Sequence, residues 1–158
     1  MQSNWLKKRA FLLIAVVLSL PLFPGVARAE TIVIANNDVA ESELDRMALQ
    51  AIFLGKKTQW ENGHTIVPVN LKGGATHQEF LKVIIRRTPA QYRTFWKRAI
   101  FTGTGMPPKS FATEEEIVAF VRESRGAVGY IDPSTPHEGV KVLSIQRGGL
   151  AGGRGKEE

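Results

Sequence analysis

The spacing of apolar residues changes along the chain, and the changes divide it into strands and helices. Short runs of consecutive apolar residues are typical of strands that are buried on both faces. Elsewhere apolar residues recur every three or four positions, which predicts helices with one buried side. The predicted strands are 31–35, 66–69, 127–131 and 140–145, and the predicted helices are 42–54, 76–86, 89–101 and 113–122.

The predicted helices begin with residue pairs at or near the spacing of a capping box. In that motif a Ser or Thr side chain and an acidic or amide side chain satisfy each other's free backbone N–H groups. Pro89 also suits the first position of a helix, where no N–H is needed. Strands interleaved with helices favour an α/β layer structure over a helical bundle. The pairs are Ser42 and Asp45, Thr76 and Glu79, Thr88 and Gln91, and Thr113 and Glu116.

Segment 51–69 contains a helix end, a turn and a strand in close succession. Gly55 suits the left-handed residue that closes a helix. Asn62 and Gly63 predict a tight turn, and the apolar run 66–69 follows them. The segment therefore predicts the framework that leads into the loop beginning at Asn70.

The first 29 residues have the pattern of a secretory signal peptide. Three basic residues precede an apolar stretch at 11–23, and Ala27 and Ala29 form a small-x-small cleavage site. We expect cleavage after Ala29. The alternative, an uncleaved membrane anchor, would need roughly 20 apolar residues, and the stretch here has only thirteen. At the other end, the Gly-rich and charged tail 147–158 is predicted to be disordered, which leaves one domain at 30–146.

The composition narrows the possible partners and the compartment. Of 21 basic and 15 acidic residues, four basic ones lie in 1–29, so 17 basic and 15 acidic residues remain, a formal net charge of +2. That balance argues against a nucleic-acid partner. The chain has no cysteine, which rules out disulfides, Cys-bound metals and a lipid attached to Cys. A secreted binding protein without a lipid anchor would diffuse away from a cell with one membrane. We therefore expect this protein to lie in the periplasm of a bacterium with two membranes, with no membrane-embedded segment after cleavage.

Several short motifs occur in a characteristic order. They are IFLGK at 52–56, IVPV at 66–69, Phe-Trp at 95–96, FTGTGMPP at 101–108 and GAVGYI at 126–131. Together they resemble the phosphate ABC-transporter substrate-binding family. The resemblance implies the type 2 periplasmic-binding-protein fold, and the length implies only one of its two lobes. We thus expect an α/β domain with a central mixed β-sheet flanked by helices.

The resemblance also implies a ligand loop. The family's loop resembles R-x-x-D-G-S-G-T, and its last residue falls on Thr76. Asn70 then replaces the Arg, with one residue fewer before the first Gly; Gly74 replaces the Ser and Ala75 the second Gly, whereas Gly73 and Thr76 match. Free N–H groups at a helix start bind anions, and Lys72 and His77 are able to add positive charge. The predicted anion-binding residues are Asn70, Lys72, Gly73, Gly74, Ala75, Thr76 and His77. The alternative is that Thr76 and Glu79 only cap the helix and the glycines only form a turn.

The remaining candidates are weaker. The three histidines lack the spacing of metal ligands, and no nucleophile motif or triad is evident, so we expect no enzyme activity, no metal and no cofactor.

Two functions stay open: binding of phosphate or a related oxyanion for uptake or sensing, or a non-ligand-binding accessory role beside a membrane transporter or sensor. Pairing of two copies as a homodimer to replace the missing lobe also stays open. A basic cluster near Trp96 is either a docking surface or a solvated helix face; it contains Arg86, Arg87, Arg93, Lys97 and Arg98.

Overall fold

The computed structural model describes residues 31–146, and a six-stranded mixed sheet forms its centre. The strands are β1 Ile32–Ala35, β2 Glu43–Asp45, β3 Val67–Leu71, β4 Lys109–Phe111, β5 Ala127–Ile131 and β6 Lys141–Gln146. Their order in the sheet is β2-β6-β1-β5-β3-β4. β1 is antiparallel to both of its neighbours, β5 and β6, while the other three pairings are parallel. The predicted α/β fold with a mixed sheet is confirmed.

Helices cover both faces of the sheet. They are α1 Arg46–Phe53, α2 Ala75–Phe80, α3 Pro89–Phe101 and α4 Glu114–Glu123. α2 runs directly into a π-helical turn at Leu81–Ile85, which ends at Arg86 in the left-handed conformation, with φ of 56°. None of the helices in residues 31–146 has the length and apolarity that a membrane crossing requires.

The two faces of β5 show how the layers are arranged. A methyl group on Gly129 would meet Ile117 of α4 and Val69 of β3, so this face lies under α4. On the other face, the fully buried Tyr130 stacks on Phe80 of α2 with ring centroids 3.8 Å apart. α4 therefore packs on one side of the sheet, and α2 with its neighbours packs on the other.

The segment predicted to connect α1 to β3 does form a rigid corner. α1 ends at Phe53, and Gly55 follows with φ of +69°. Trp60 is buried, and its indole N–H donates to the backbone oxygen of Gly126 at 3.0 Å. This corner fixes the start of β3 and hence the direction in which its far end points.

The first helix is shorter than predicted. Residues 43–45 form the edge strand β2, which pairs in parallel with β6. The helix begins only at Arg46, and Asp45, not Ser42, caps it by accepting from the Ala48 N–H at 2.6 Å. The predicted start at Ser42 is wrong because pairing with β6 outweighs the local helical pattern, a common effect of tertiary contacts on propensity.

Of the other three predicted capping boxes, two are confirmed and one is wrong. Thr88 and Thr113 cap α3 and α4, each with its reciprocal side-chain bond. α2 instead begins after Gly74 and has no side-chain cap. Its Thr76 is already inside the helix, so the pairing with Glu79 does not form.

A further strand was missed by the sequence analysis. β4 lies between the predicted helices 89–101 and 113–122, where no strand was predicted, and holds only three residues, directly after two prolines. Its pairing with β3 supplies the contact that holds it. A strand this short has no periodicity to detect.

The sheet and the hydrophobic core described above lie within residues 31–146. The predicted signal peptide at 1–29 and tail at 147–158 lie outside the described residues, and both stay predictions, as does the domain boundary at residue 30.

Candidate functional site

The predicted ligand loop lies where three segments of the chain meet. β3, β4 and β5 are parallel, so their carboxyl ends lie at the same edge of the sheet. β3 leads through the loop 72–74 into α2, β4 leads into α4, and β5 leads to Asp132. Open α/β sheets commonly bind ligands at this edge.

A cleft of about 500 Å³ opens between these segments. Its walls are the chain from Leu71 to Thr76, the start of α4, and the turn after β5. Both Gly73 and Gly74 line it, and a methyl group on either would meet nothing within 4 Å. The glycines thus leave the backbone of the loop accessible from the cleft.

The carboxylate of Glu114 lies in this cleft and gathers donors from two of its walls. One of its oxygens accepts from the Thr76 hydroxyl at 2.6 Å. The other accepts from the Thr135 hydroxyl at 2.6 Å and from the Asp132 N–H at 2.7 Å. A negative charge is therefore held by three donors that lie far apart in the chain. The sequence analysis missed Glu114, and the available signal was its place in the first turn of a helix that lines the same edge.

The start of α2 adds backbone donors beside these side chains. Gly74 precedes the helix with φ of +97° and ψ of 176°, and no side chain accepts from the first N–H groups. A helix start of this kind favours negative charge. Hence the wall formed by α2 is suited to an anion even without a basic side chain.

The charged side chains of the cleft are acidic. Glu114, Glu115 and Asp132 line it, and among residues 31–146 its lining contains no Lys or Arg. The hydroxyl and the N–H of Ser134 donate to Asp132 at 2.6 and 2.9 Å and lower the pKa of that carboxyl. Lys72 is exposed in the loop but does not line the cleft. An incoming dianion would therefore meet donors and repulsion together.

His77 lies beneath the loop and not in the cleft. Its Nδ1 is 2.5 Å from the Tyr130 hydroxyl, which accepts from the Leu71 N–H at 3.2 Å and so has its own proton free to donate. Burial, and after it the positive charge of Arg93, lower the pKa of His77. The ring is thus neutral at pH 7, and its role is to tie α2 to β5.

Asn70 is also buried beneath the loop. Its Nδ2 donates to the Tyr92 hydroxyl at 3.2 Å, and that hydroxyl donates to the Phe53 carbonyl oxygen at 3.0 Å. Burial raises the pKa of Tyr92. Within the described part of the chain the Asn70 Oδ1 has no hydrogen-bond partner. Asn70 therefore belongs to the core beside α3.

The seven predicted site residues thus fall into three groups. Four line the cleft, Lys72 is exposed beside it, and two have side chains in the core. Their binding of an anion stays a prediction. The four in the cleft are Gly73, Gly74, Ala75 and Thr76; the two in the core are Asn70 and His77.

Comparison with solved structures identifies the fold. An ABC-type phosphate transport receptor from Vibrio cholerae matches 74% of this chain and 46% of its own, with a TM-score of 0.58 and 15% identity. PstS from Borrelia burgdorferi matches 74% of this chain and 47% of its own, with a TM-score of 0.57 and 13% identity. Neither protein-family models nor curated proteins match the chain.

These comparisons confirm the predicted resemblance at the level of the fold. The chain has the fold of part of a phosphate transport receptor and spans less than half the length of the two proteins it matches. At 13 to 15% identity, this likeness shows the fold alone.

Proposed function

We propose that the protein is a single-lobe solute-binding protein that takes phosphate or a related oxyanion in the cleft beside Thr76. The observation that carries the proposal is the convergence of the Thr76 hydroxyl, the Thr135 hydroxyl and the Asp132 N–H on one carboxylate. A carboxylate offers the same kind of acceptor oxygens as an oxyanion. The uncapped start of α2 supports the proposal with further donors on the same wall.

The Glu114 carboxylate decides which oxyanion fits. An ion that enters the cleft either competes with Glu114 for its hydrogen-bond donors or donates a hydrogen bond to the Glu114 carboxylate. Monohydrogen and dihydrogen phosphate carry a proton that is able to hydrogen-bond to Glu114, whereas sulfate at neutral pH carries none. A partly buried acceptor such as Glu114 that faces another acceptor is unfavourable. Phosphate is therefore the preferred ligand, and sulfate the natural comparison.

Calorimetric titration of residues 30–158 with phosphate and with sulfate tests the proposal. We expect phosphate to bind at least about tenfold more tightly than sulfate, the ratio that one unpaired acceptor produces. Glu114→Gln removes the charge and should reduce that preference. Glu123→Gln is the matched control, because it removes the same charge from an exposed carboxylate on the same helix, away from the cleft.

Gly73→Asp places a carboxylate at the cleft with little strain, since a Cβ there meets nothing within 4 Å. It should abolish phosphate binding while leaving the unfolding transition in place. Gly74→Asp is a poorer choice, because Gly74 adopts a backbone conformation that is essentially restricted to glycine. Unchanged affinity of Gly73→Asp would place the site elsewhere.

A second candidate function is favoured by the acidic lining of the cleft. In that alternative Glu114 is the permanent occupant of the donors, and the lobe is a non-ligand-binding accessory protein of a transporter or sensor. Absence of heat with millimolar phosphate, for both the unaltered protein and Glu114→Gln, would reject oxyanion binding and leave this alternative.

The setting of the function is also part of the proposal. We place the protein in the periplasm beside a membrane transporter or sensor, after cleavage at Ala29. Sequencing the amino terminus of the exported protein tests the cleavage. Sedimentation with and without phosphate tests whether two copies pair across the cleft.

A further inference from the structure

α3 and the loop after it form a surface of one charge sign. Between residues 80 and 111 there are seven Lys and Arg and no Asp or Glu. Lys97 and Arg98 are exposed in the last turns of α3. Lys57, from the corner after α1, lines a cleft of about 770 Å³ together with Arg98 and Met106. The corner and the end of α3 therefore present their positive charges side by side.

Apolar side chains protrude among these charges. Phe101 is 93% exposed, Met106 is 81% exposed and Ile100 is 52% exposed. They are three of the six large apolar residues that are exposed in residues 31–146. Phe101 follows Lys97 by one helical turn, so the two lie on the same side of α3. We call this surface the basic apolar face; it consists of Lys57, Lys97, Arg98, Ile100, Phe101 and Met106.

The basic apolar face lies away from the candidate oxyanion cleft. The cleft beside Lys57 is lined by Ile66 and Pro68, at the beginning of β3. The oxyanion cleft is at the other end of that strand, next to Leu71. The acidic start of α4 lies on the opposite side of the sheet from α3. The two surfaces are therefore separate, and docking through the basic apolar face does not require oxyanion binding in the cleft.

We propose that the basic apolar face docks the protein on an anionic lipid bilayer. Basic residues are drawn to acidic headgroups, and protruding Phe and Met side chains partition into the headgroup region. Charge complementarity supports a bilayer, since 80–111 carries no acidic residue that anionic headgroups would repel. Docking in this way would hold the oxyanion cleft away from the bilayer.

Co-sedimentation with lipid vesicles tests the docking. Residues 30–158 are the right sample, because the apolar stretch at 11–23 would itself bind lipid. We expect partitioning into phosphatidylcholine vesicles containing about 30 mol% phosphatidylglycerol to exceed that into pure phosphatidylcholine by at least about tenfold. Raising NaCl from about 0.05 M to about 0.5 M should lower it by at least about tenfold, because salt screens the attraction.

Paired variants assign the binding to this face. Lys97→Glu with Arg98→Glu should lower partitioning by at least about tenfold, from the contribution of each basic residue near an anionic surface. Arg122→Glu with Arg125→Glu makes the same change of net charge at the end of α4 and should have less than about a twofold effect.

Phe101→Ser should lower partitioning about fivefold. Its control is Val142→Ser, which replaces an exposed apolar residue on β6.

Several results would overturn the proposal. Equal partitioning into neutral and acidic vesicles would contradict it. Equal losses of partitioning in the Lys97/Arg98 and Arg122/Arg125 variants would contradict it as well. If free phosphate releases the protein from vesicles where NaCl of equal ionic strength does not, the protein captures single headgroups instead of docking on the bilayer. Self-association in sedimentation that Phe101→Ser abolishes would assign the face to contacts between copies. Circular dichroism melting of every variant confirms that loss of binding is not loss of fold.

Discussion

The loop after β3 and the entry to β5 are both rich in glycine, yet they use it in opposite ways. A methyl group on Gly73 or Gly74 would meet nothing within 4 Å. On Gly126 it would lie 2.1 Å from the backbone oxygen of Thr65, and on Gly129 it would lie 2.7 Å from a methyl group of Ile117. The first pair keeps space open beside a cleft, and the second pair lets neighbours fill the space completely.

The difference separates glycines that a ligand would use from glycines that the core requires. In the sequence both pairs fit close approach of another group. Only the structure shows that β5 is approached by Ile117 and Val69 and that the loop is approached by nothing. A test of the comparison is therefore a series of alanine substitutions with one expected order of effects.

The largest effect is expected for Gly126→Ala. The new methyl group would clash with a backbone carbonyl, and φ of +70° adds strain. We expect the free energy of unfolding to fall by about 3 kcal/mol, measured by urea denaturation of residues 30–158. Gly63→Ala is the control, because Gly63 has φ of +80° but open space around its Cβ position. Equal losses at the two positions would show that strain alone, and not packing, matters at β5.

An intermediate effect is expected for Gly74→Ala. Its φ of +97° and ψ of 176° are essentially restricted to glycine, so we expect a loss of about 1 to 2 kcal/mol in the same urea experiment. Gly73→Ala should change stability by less than about 0.5 kcal/mol, as for most exposed positions. A large loss at Gly73 would mean that the loop is packed and not open.

The smallest effect is expected from pH, through the link between the loop and β5. Burial, then Arg93, lower the pKa of His77, so below its ordinary value of about 6.5 the unfolded chain binds more protons than the folded one. Stability should therefore be fully present above about pH 6.5 and fall as pH drops toward the folded pKa. Thermal melting in the range from neutral to mildly acidic pH measures this.

His77→Gln identifies the residue responsible. It should flatten the fall in melting temperature below about pH 6.5, whereas His64→Gln, at an exposed ring, should leave the fall in place. The same slope in both variants would mean that other groups produce the pH dependence, and that the His77–Tyr130 contact is not the link between loop and sheet.

Local patterns predicted the centre of this fold better than its edges. All four predicted strands are present. In β1 and β5, burial on both faces leaves a signal in the apolar run itself, whereas β6 alternates and buries only Leu143. β2 and β4 hold three residues each and exist through pairing with β6 and β3. That information is distributed over distant parts of the chain, so no local pattern contains it.

A comparison of Thr88 with Thr76, both predicted as helix starts, shows the same limit at the candidate site. Thr88 is followed by Pro89, which fixes the first helical position, and its capping box forms. Thr76 lies two residues after Gly74, inside α2, and its hydroxyl donates to Glu114 on another helix. The glycines and Thr76 could be predicted to lie together because they are neighbours in the chain. Glu114 could not, since the fold alone brings it there.

The short edge strands have a consequence for how copies of the protein meet. Within residues 31–146 the sheet ends in β2 on one side and β4 on the other. Glu43 and Asp45 are exposed on β2, and Lys109 is exposed on β4. Short, charged edges are poor templates for strand addition from another chain. Association between copies through residues 31–146 would therefore favour side-chain surfaces over extension of the sheet from one molecule into the next.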